Sequence, residues 1–165
     1  MELASLARRT VVGLGELRIS VDGSEVLISL GLGSCVALCL YDPVARVAGM
    51  AHMVLPSSEQ RGRRPPSPRF VDYAVPALVE DMRDEGASKQ RLTAKLIGGA
   101  QMLNGTQGPT QIGERNVAAA REALSGLRIR LTASDTGGTR GRTVRLDVAT
   151  GTVTVSIVSG SEREL

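Results

Sequence analysis

The sequence has no tryptophan, a single phenylalanine and only two tyrosines among 165 residues. Any core must therefore be built from Val, Leu, Ile, Ala and Met. A surface of interleaved aromatics for stacking nucleic-acid bases is not available. Charge of one sign is also scarce: 20 Lys and Arg stand against 17 Asp and Glu, a formal net charge of +3. So mild an excess, with so few aromatics, argues against nucleic acid as a partner.

Cysteine and histidine are equally sparse. The two cysteines, Cys35 and Cys39, cannot form a disulfide framework. They lack CxxC spacing, and the lone histidine, His52, leaves a structural zinc site short of ligands. No metal and no cofactor are expected. Long apolar runs are missing too. The longest uncharged stretch, residues 26–41, is 16 residues and contains Gly31 and Gly33. A membrane-spanning helix needs about 20. The start, "MELASLARRT", has neither the apolar core nor the cleavage site of a secretory signal. These absences lead to the expectation of a cytoplasmic, reduced protein without membrane insertion. The length suits one domain over residues 1–165.

What is present alternates between short strands and two helical patterns. "VVGLGELRIS" and "SEVLISL" read as two strands about a "VDG" turn. "CVALCLY" is continuously apolar, as in a strand buried on both faces. "DPVA" is a turn signal, and "RVAGMAHMVLP" is the expected return strand, ended by Pro56. A polar, proline-rich loop follows and carries Arg61, Arg63, Arg64 and Arg69. Ser67 and Pro68 open a helix with apolar residues from Phe70 to Met82 at helical spacing. Pro76 should kink that helix and Gly86 should end it. "RLTAKLI" is a strand, "NVAAAREALSGL" a second helix entered from "QIGER", and "RIRLTASD", "RTVRLDV" and "TVTVSIV" three more strands. Hairpins with only two long helices predict an α+β fold of mixed and antiparallel sheets flanked by the helices.

The segment "SLGLGSCVALCLYDP" holds the candidate chemistry. If residues 42–45 form a four-residue loop, Tyr41 pairs with Arg46 and Cys35 falls opposite His52. Opposed residues share a face, with Cβ atoms about 4.5–5.5 Å apart. A thiolate–imidazolium pair at that separation is what a cysteine nucleophile requires. Gly31 and Gly33 would clear an approach to the backbone. The N–H groups of Ser34 and Cys35 would receive an oxyanion. Ser29 carries a hydroxyl suited to orienting the imidazole or a water. On its own, a cysteine in an apolar strand reads equally as a small packed residue, and Cys39 keeps that reading. The glycine clusters "IGGAQML" and "SDTGGTRGRT" fit neither a P-loop nor a dinucleotide fingerprint and read as tight turns and close backbone packing.

Five segments occur in order along nearly the whole chain: "LGLGSCVALCLYDP", "GMAHMVLP", "AKLIGGAQML", "IGERNV" and "DTGGTRGRTVRLDVATGTV". In this the sequence resembles the CheD family of chemotaxis proteins, the chemoreceptor glutamine deamidases. The resemblance implies hydrolysis of particular glutamine side chains on methyl-accepting chemotaxis receptors to glutamate. It implies that the catalytic cysteine is Cys35 and the catalytic histidine His52. The family's third active-site residue, commonly threonine, matches Ser29, which keeps the hydroxyl and loses the methyl group. It implies an α+β fold similar to that of deamidating bacterial toxins, and a CheC-type phosphatase as a further partner. Docking on an acid-rich receptor bundle would suit Arg61, Arg63, Arg64 and Arg69. The competing readings are a non-catalytic adaptor for receptors or the phosphatase, and a cysteine hydrolase acting on small amides.

Overall fold

A computed structural model describes residues 6–102 and 111–165, with the side chains of Gln60 and Arg61 excepted. The readings that touch residues 1–5, Leu103 and the Arg61 side chain lie outside the described residues.

The architecture is α+β, in three layers. One sheet contains β1 (Arg8–Val11), β3 (Glu25–Leu32), β8 (Arg142–Asp147), β9 (Val153–Ile157) and β10 (Glu162–Glu164), in that order across it. The other has the order β2 (Leu17–Ser20), β5 (Val47–Met53), β4 (Val36–Asp42), β6 (Thr93–Gly98), β7 (Arg130–Thr136). Both are mixed: β1 runs parallel to β3 and β6 parallel to β7, while the remaining pairs are antiparallel. The long helices α1 (Val71–Asp84) and α2 (Ile112–Gly126) cover the outer face of the second sheet.

Strand alternation builds these layers from β4 outward. Val36, Leu38 and Leu40 point to the helices and meet Val71, Leu78, Met82, Ala120 and Leu124. Ala37 and Cys39 point the other way, into the layer between the sheets, with Met50, Leu27, Val144 and Leu146. The continuous apolar run of "CVALCLY" is the signature of this two-sided burial. Each Leu or Met removed from water here contributes roughly 1.5–3 kcal/mol.

Two sequence expectations change. "VVGLGELRIS" is not one strand: it breaks at residues 12–16, so that β1 joins the first sheet and β2 the second. Accordingly β2 and β3 do not pair with each other across the "VDG" turn. The helix expected from Ser67 begins at Val71. Ser67 and Pro68 form a turn in which the Phe70 N–H bonds to the Ser67 carbonyl at 3.1 Å. The end of α1 is as expected, with Gly86 N–H on the Arg83 carbonyl and Ala87 N–H on that of Met82, the paired bonds that close a helix.

Candidate active site

The β4–β5 hairpin sets the first two candidate residues. Its loop is residues 43–46, one position later than the sequence suggests, because Asp42 stays in the ladder opposite Val47. The Asp42 carboxylate accepts the N–H groups of Val44 and Ala45 at 2.9 and 3.0 Å and so shapes the turn itself. The register therefore moves by two. His52 lies opposite Ala37, and Cys35 is its diagonal neighbour just before β4 begins. A shift of two preserves the face. Cys35 packs, half-buried, against the inter-sheet cluster of Ala37, Cys39 and Met50. His52, two residues after Met50 on β5, faces the same layer and is 3% exposed.

The loop of residues 12–16 clasps the histidine. The His52 N–H donates to the Glu16 carbonyl at 2.9 Å, and the Gly15 N–H donates to the His52 carbonyl at 2.9 Å. The ring nitrogen Nδ1 lies 3.1 Å from the Val12 carbonyl oxygen. A carbonyl can only accept, so Nδ1 carries the hydrogen and Nε2 keeps its lone pair. Nε2 is buried and has no hydrogen-bond partner among the described residues. Ser29, fully buried on β3, reaches across from the other sheet. Its hydroxyl lies 3.3 Å from the same Val12 carbonyl and 3.1 Å from the Met50 sulfur. Its contact with the imidazole is thus shared through the Val12 carbonyl.

Burial disfavours the charged form of both side chains. Desolvation raises the Cys35 thiol above its ordinary value of 9.0, although the charge of Arg69 and the cysteine's own N–H pull it down. Desolvation lowers the His52 imidazole below 6.5, partly offset by the Val12 carbonyl and the charge of Glu16. Both shifts favour a thiol and a neutral imidazole over the thiolate–imidazolium pair that the sequence suggests. The apolar layer between the sheets disfavours both charges. Cys39, on the same face but fully enclosed, has its thiol pushed up to about 12, as befits a packed residue.

The turn that presents Cys35 is fixed from behind. Gly99 N–H bonds to the Cys35 carbonyl at 2.9 Å and Ala100 N–H to that of Gly33 at 2.8 Å. Gly98 and Gly99 have φ values of +109° and +69°, and a Cβ on Gly98 would sit 2.3 Å from the Cys35 carbonyl oxygen. The "IGG" glycines are thus close-packing residues. Gly31, at φ +61°, carries the bulge between Ser29 and Leu32. Gly33 does not open an approach: a Cβ there would meet Met102 Cγ at 2.9 Å. Among the described loop and turn hydrogen bonds, none uses the Ser34 or Cys35 N–H as donor. A groove of about 330 Å³, lined by Gly99, Gln101, Gly113, Thr136, Gly137 and Gly138, adjoins the back of this turn.

The arginines divide. Arg63 and Arg64 are exposed on the loop after a short turn of helix at Ser58–Arg61. Arg69 is also exposed, but its backbone is held by the N–H groups of Val54 and Leu55, at 2.8 and 3.1 Å, beside the end of β5. Its charge acts on Cys35. Sequence reasoning grouped Arg69 with the loop and missed this. It also missed the Val12 carbonyl, which as a backbone atom leaves no trace in residue type. Among the described residues, no three His, Cys, Asp or Glu side chains are grouped to hold a metal ion. No described helix is long and apolar enough to cross a membrane.

A cysteine and a histidine on one sheet face of an α+β fold are the ingredients of thiol-dependent hydrolysis. Comparison with known proteins supplies the family. A family model described as CheD chemotactic sensory transduction matches residues 54–157. The probable chemoreceptor glutamine deamidase CheD of Symbiobacterium thermophilum is 49% identical, covering 96% of this chain and 98% of that protein. The chemoreceptor glutamine deamidase CheD of Thermotoga maritima is 43% identical, covering 94% and 96%. The probable chemoreceptor glutamine deamidase CheD of Pyrococcus abyssi is 42% identical, covering 95% and 96%. The chain belongs to the CheD family. The crystal structure of the Bacillus licheniformis hypothetical protein YfiH overlaps 73% of this chain and 49% of its own, with a TM-score of 0.48 at 15% identity, a distance that supports no functional statement.

Proposed function

We propose that this protein hydrolyses glutamine side chains of chemoreceptors to glutamate in the cytoplasm, with Cys35 as nucleophile and His52 as base and acid. The substrate class follows from the names of relatives that match nearly the whole chain. The observation that carries the residue roles is the His52 ring. Nδ1 is committed to the Val12 carbonyl, and Nε2, buried and without a partner among the described residues, belongs to a side chain on the sheet face that bears Cys35.

In this mechanism Nε2 takes the thiol proton as Sγ attacks the glutamine Cδ. Negative charge develops on the amide oxygen and is received by the N–H groups of Ser34 and Cys35. His52 returns the proton to the amide nitrogen, the C–N bond breaks, and ammonia leaves. The thioester is then attacked by a water whose proton passes to Nε2. The C–S bond breaks, the sulfur regains a proton, and glutamate is released. Burial that disfavours both charges suits this sequence, because the charge pair forms only as the bond does. Ser29 holds the carbonyl that fixes the ring. Arg63, Arg64 and Arg69 would face the acidic receptor bundle, and a CheC-type phosphatase is the second proposed partner.

The test is peptide mass spectrometry of a receptor cytoplasmic fragment after incubation with the wild type and with Cys35→Ala. Glutamine-to-glutamate conversion by the wild type alone is expected. Conversion by neither protein, or equally by both, would sink the proposal.

A further inference from the structure

Helix α2 carries a polar side chain on its buried face. Asn116 has 0% exposure and lies on the stripe that continues through Ala120 and Leu124. Its Nδ2 donates to two carbonyl oxygens, those of Ser34 and Val54, each at 2.9 Å. Ser34 immediately precedes Cys35, and Val54 follows the end of β5, two positions after His52. One amide group therefore ties the turn that presents the thiol to the strand that presents the imidazole. Both neighbours are pure acceptors, so the amide has only one workable orientation.

That orientation leaves Oδ1 buried and, among the described residues, without a partner. An unpaired buried acceptor is unfavourable, and an apolar side chain of the same shape would avoid it. Packing alone therefore does not account for asparagine here. The backbone accounts for it better. The carbonyls of Gly33 and Cys35 are held by the N–H groups of Ala100 and Gly99, at 2.8 and 2.9 Å. Ser34, between them, is held by Asn116. Three successive carbonyls are thus pinned, and the middle one is pinned by a side chain that also grips the His52 strand.

We propose that Asn116 is a positioning residue that sets the placement of Cys35 relative to His52. This rests on the reading of those two as nucleophile and base. Its test uses Asn116→Leu, which keeps the bulk and removes both donors, and Asn116→Asp, which presents a carboxylate to two carbonyls. Two readouts are made on the full chain: the rate of Cys35 alkylation by iodoacetamide against pH, and kcat and KM for deamidation of a receptor fragment. The expected result is a displaced alkylation profile and a fall in kcat of about 10- to 100-fold, with KM little changed. A folded variant with the wild-type alkylation profile and wild-type kcat overturns the proposal. If the wild type deamidates nothing, the alkylation profiles still decide the positioning claim alone. If neither variant folds, the Asn116 side-chain amide protons are followed by NMR in the wild type. Slow exchange and a shift on alkylating Cys35 support the proposal, whereas free exchange with no shift overturns it.

Discussion

Ser29 and His52 meet at one atom, the carbonyl oxygen of Val12, at 3.3 and 3.1 Å. They come from different sheets, and the carbonyl belongs to the loop that links those sheets. The serine thus acts on the ring at one remove. It anchors the acceptor that fixes which imidazole nitrogen keeps its lone pair.

Ser29→Ala should therefore weaken the site without abolishing it. The Val12 carbonyl keeps the imidazole N–H, and one hydrogen bond is worth about 0.5–1.5 kcal/mol. A fall in kcat of about 2- to 10-fold is expected, with a loss of stability of similar energy. Deamidation kinetics and urea unfolding check this. A total loss of activity in a folded protein would place Ser29 in direct contact with the reacting atoms.

The rate should rise with pH as His52 deprotonates, with the midpoint below 6.5. Burial disfavours the imidazolium, so the folded state holds the neutral ring more firmly than the unfolded chain does. That contribution to stability is present above about 6.5 and is lost as pH falls through the folded value. A pH–rate profile, with urea unfolding at each pH for wild type and His52→Gln, separates the two effects. Absence of an acidic limb in the wild-type profile would remove His52 from the base role.

Arg69 and its neighbours should behave differently. Arg69→Ala should raise the pH at which Cys35 becomes alkylated, because the guanidinium favours the thiolate. Arg63→Glu and Arg64→Glu should leave that profile in place and weaken receptor deamidation more at low salt than at physiological salt. If these reversals change nothing at either salt concentration, the loop is not a docking surface.

The two thiols should titrate with reagent as unlike groups. In the native protein iodoacetamide should modify Cys35 and spare Cys39, whose buried thiol is pushed up to about 12. In urea both should react. Modification of Cys39 at the rate of Cys35 in native protein would contradict the enclosed setting of β4.

Asp42 should govern acid stability. Although burial opposes its charge, Arg91 and the N–H groups of Ser88, Ala45 and Val44 hold its carboxyl at about 2, against 3.8 ordinarily. That gap corresponds to about 2 kcal/mol. The contribution is present above pH 3.8 and is lost as pH falls toward 2. Asp42→Asn should remove about 2 kcal/mol at neutral pH and flatten this part of the stability curve, as measured by urea unfolding.

Much of this was legible from the sequence. The apolar run of β4 and the return strand β5 carry strong period-two and turn signals, so the hairpin and the shared face of Cys35 and His52 follow from them. The exact partner of His52 did not, because the loop length turns on where the Asp42 carboxylate anchors, and that anchor includes the distant Arg91 and Ser88. The split of "VVGLGELRIS" was hidden for a related reason. Its glycines mark a break, but only pairing with β3 and β5, far along the chain, decides which sheet each half joins. Asn116 left a faint sign, a polar residue on an otherwise apolar helical stripe. The Val12 carbonyl left none.

The clasp around His52 hangs from a slender support. β1 is a four-residue strand at the outer border of its sheet, with three of those residues exposed. Such borders are the first parts of a sheet to peel away. Were β1 to lift, the hold of the Val12 carbonyl on the ring would be lost, with neither the sulfur nor the ring altered. Residues 8–12 thus tie the orientation of the ring to a sheet edge. On the proposed mechanism, a peptide that competes for the border of β3 would lower activity from outside the site.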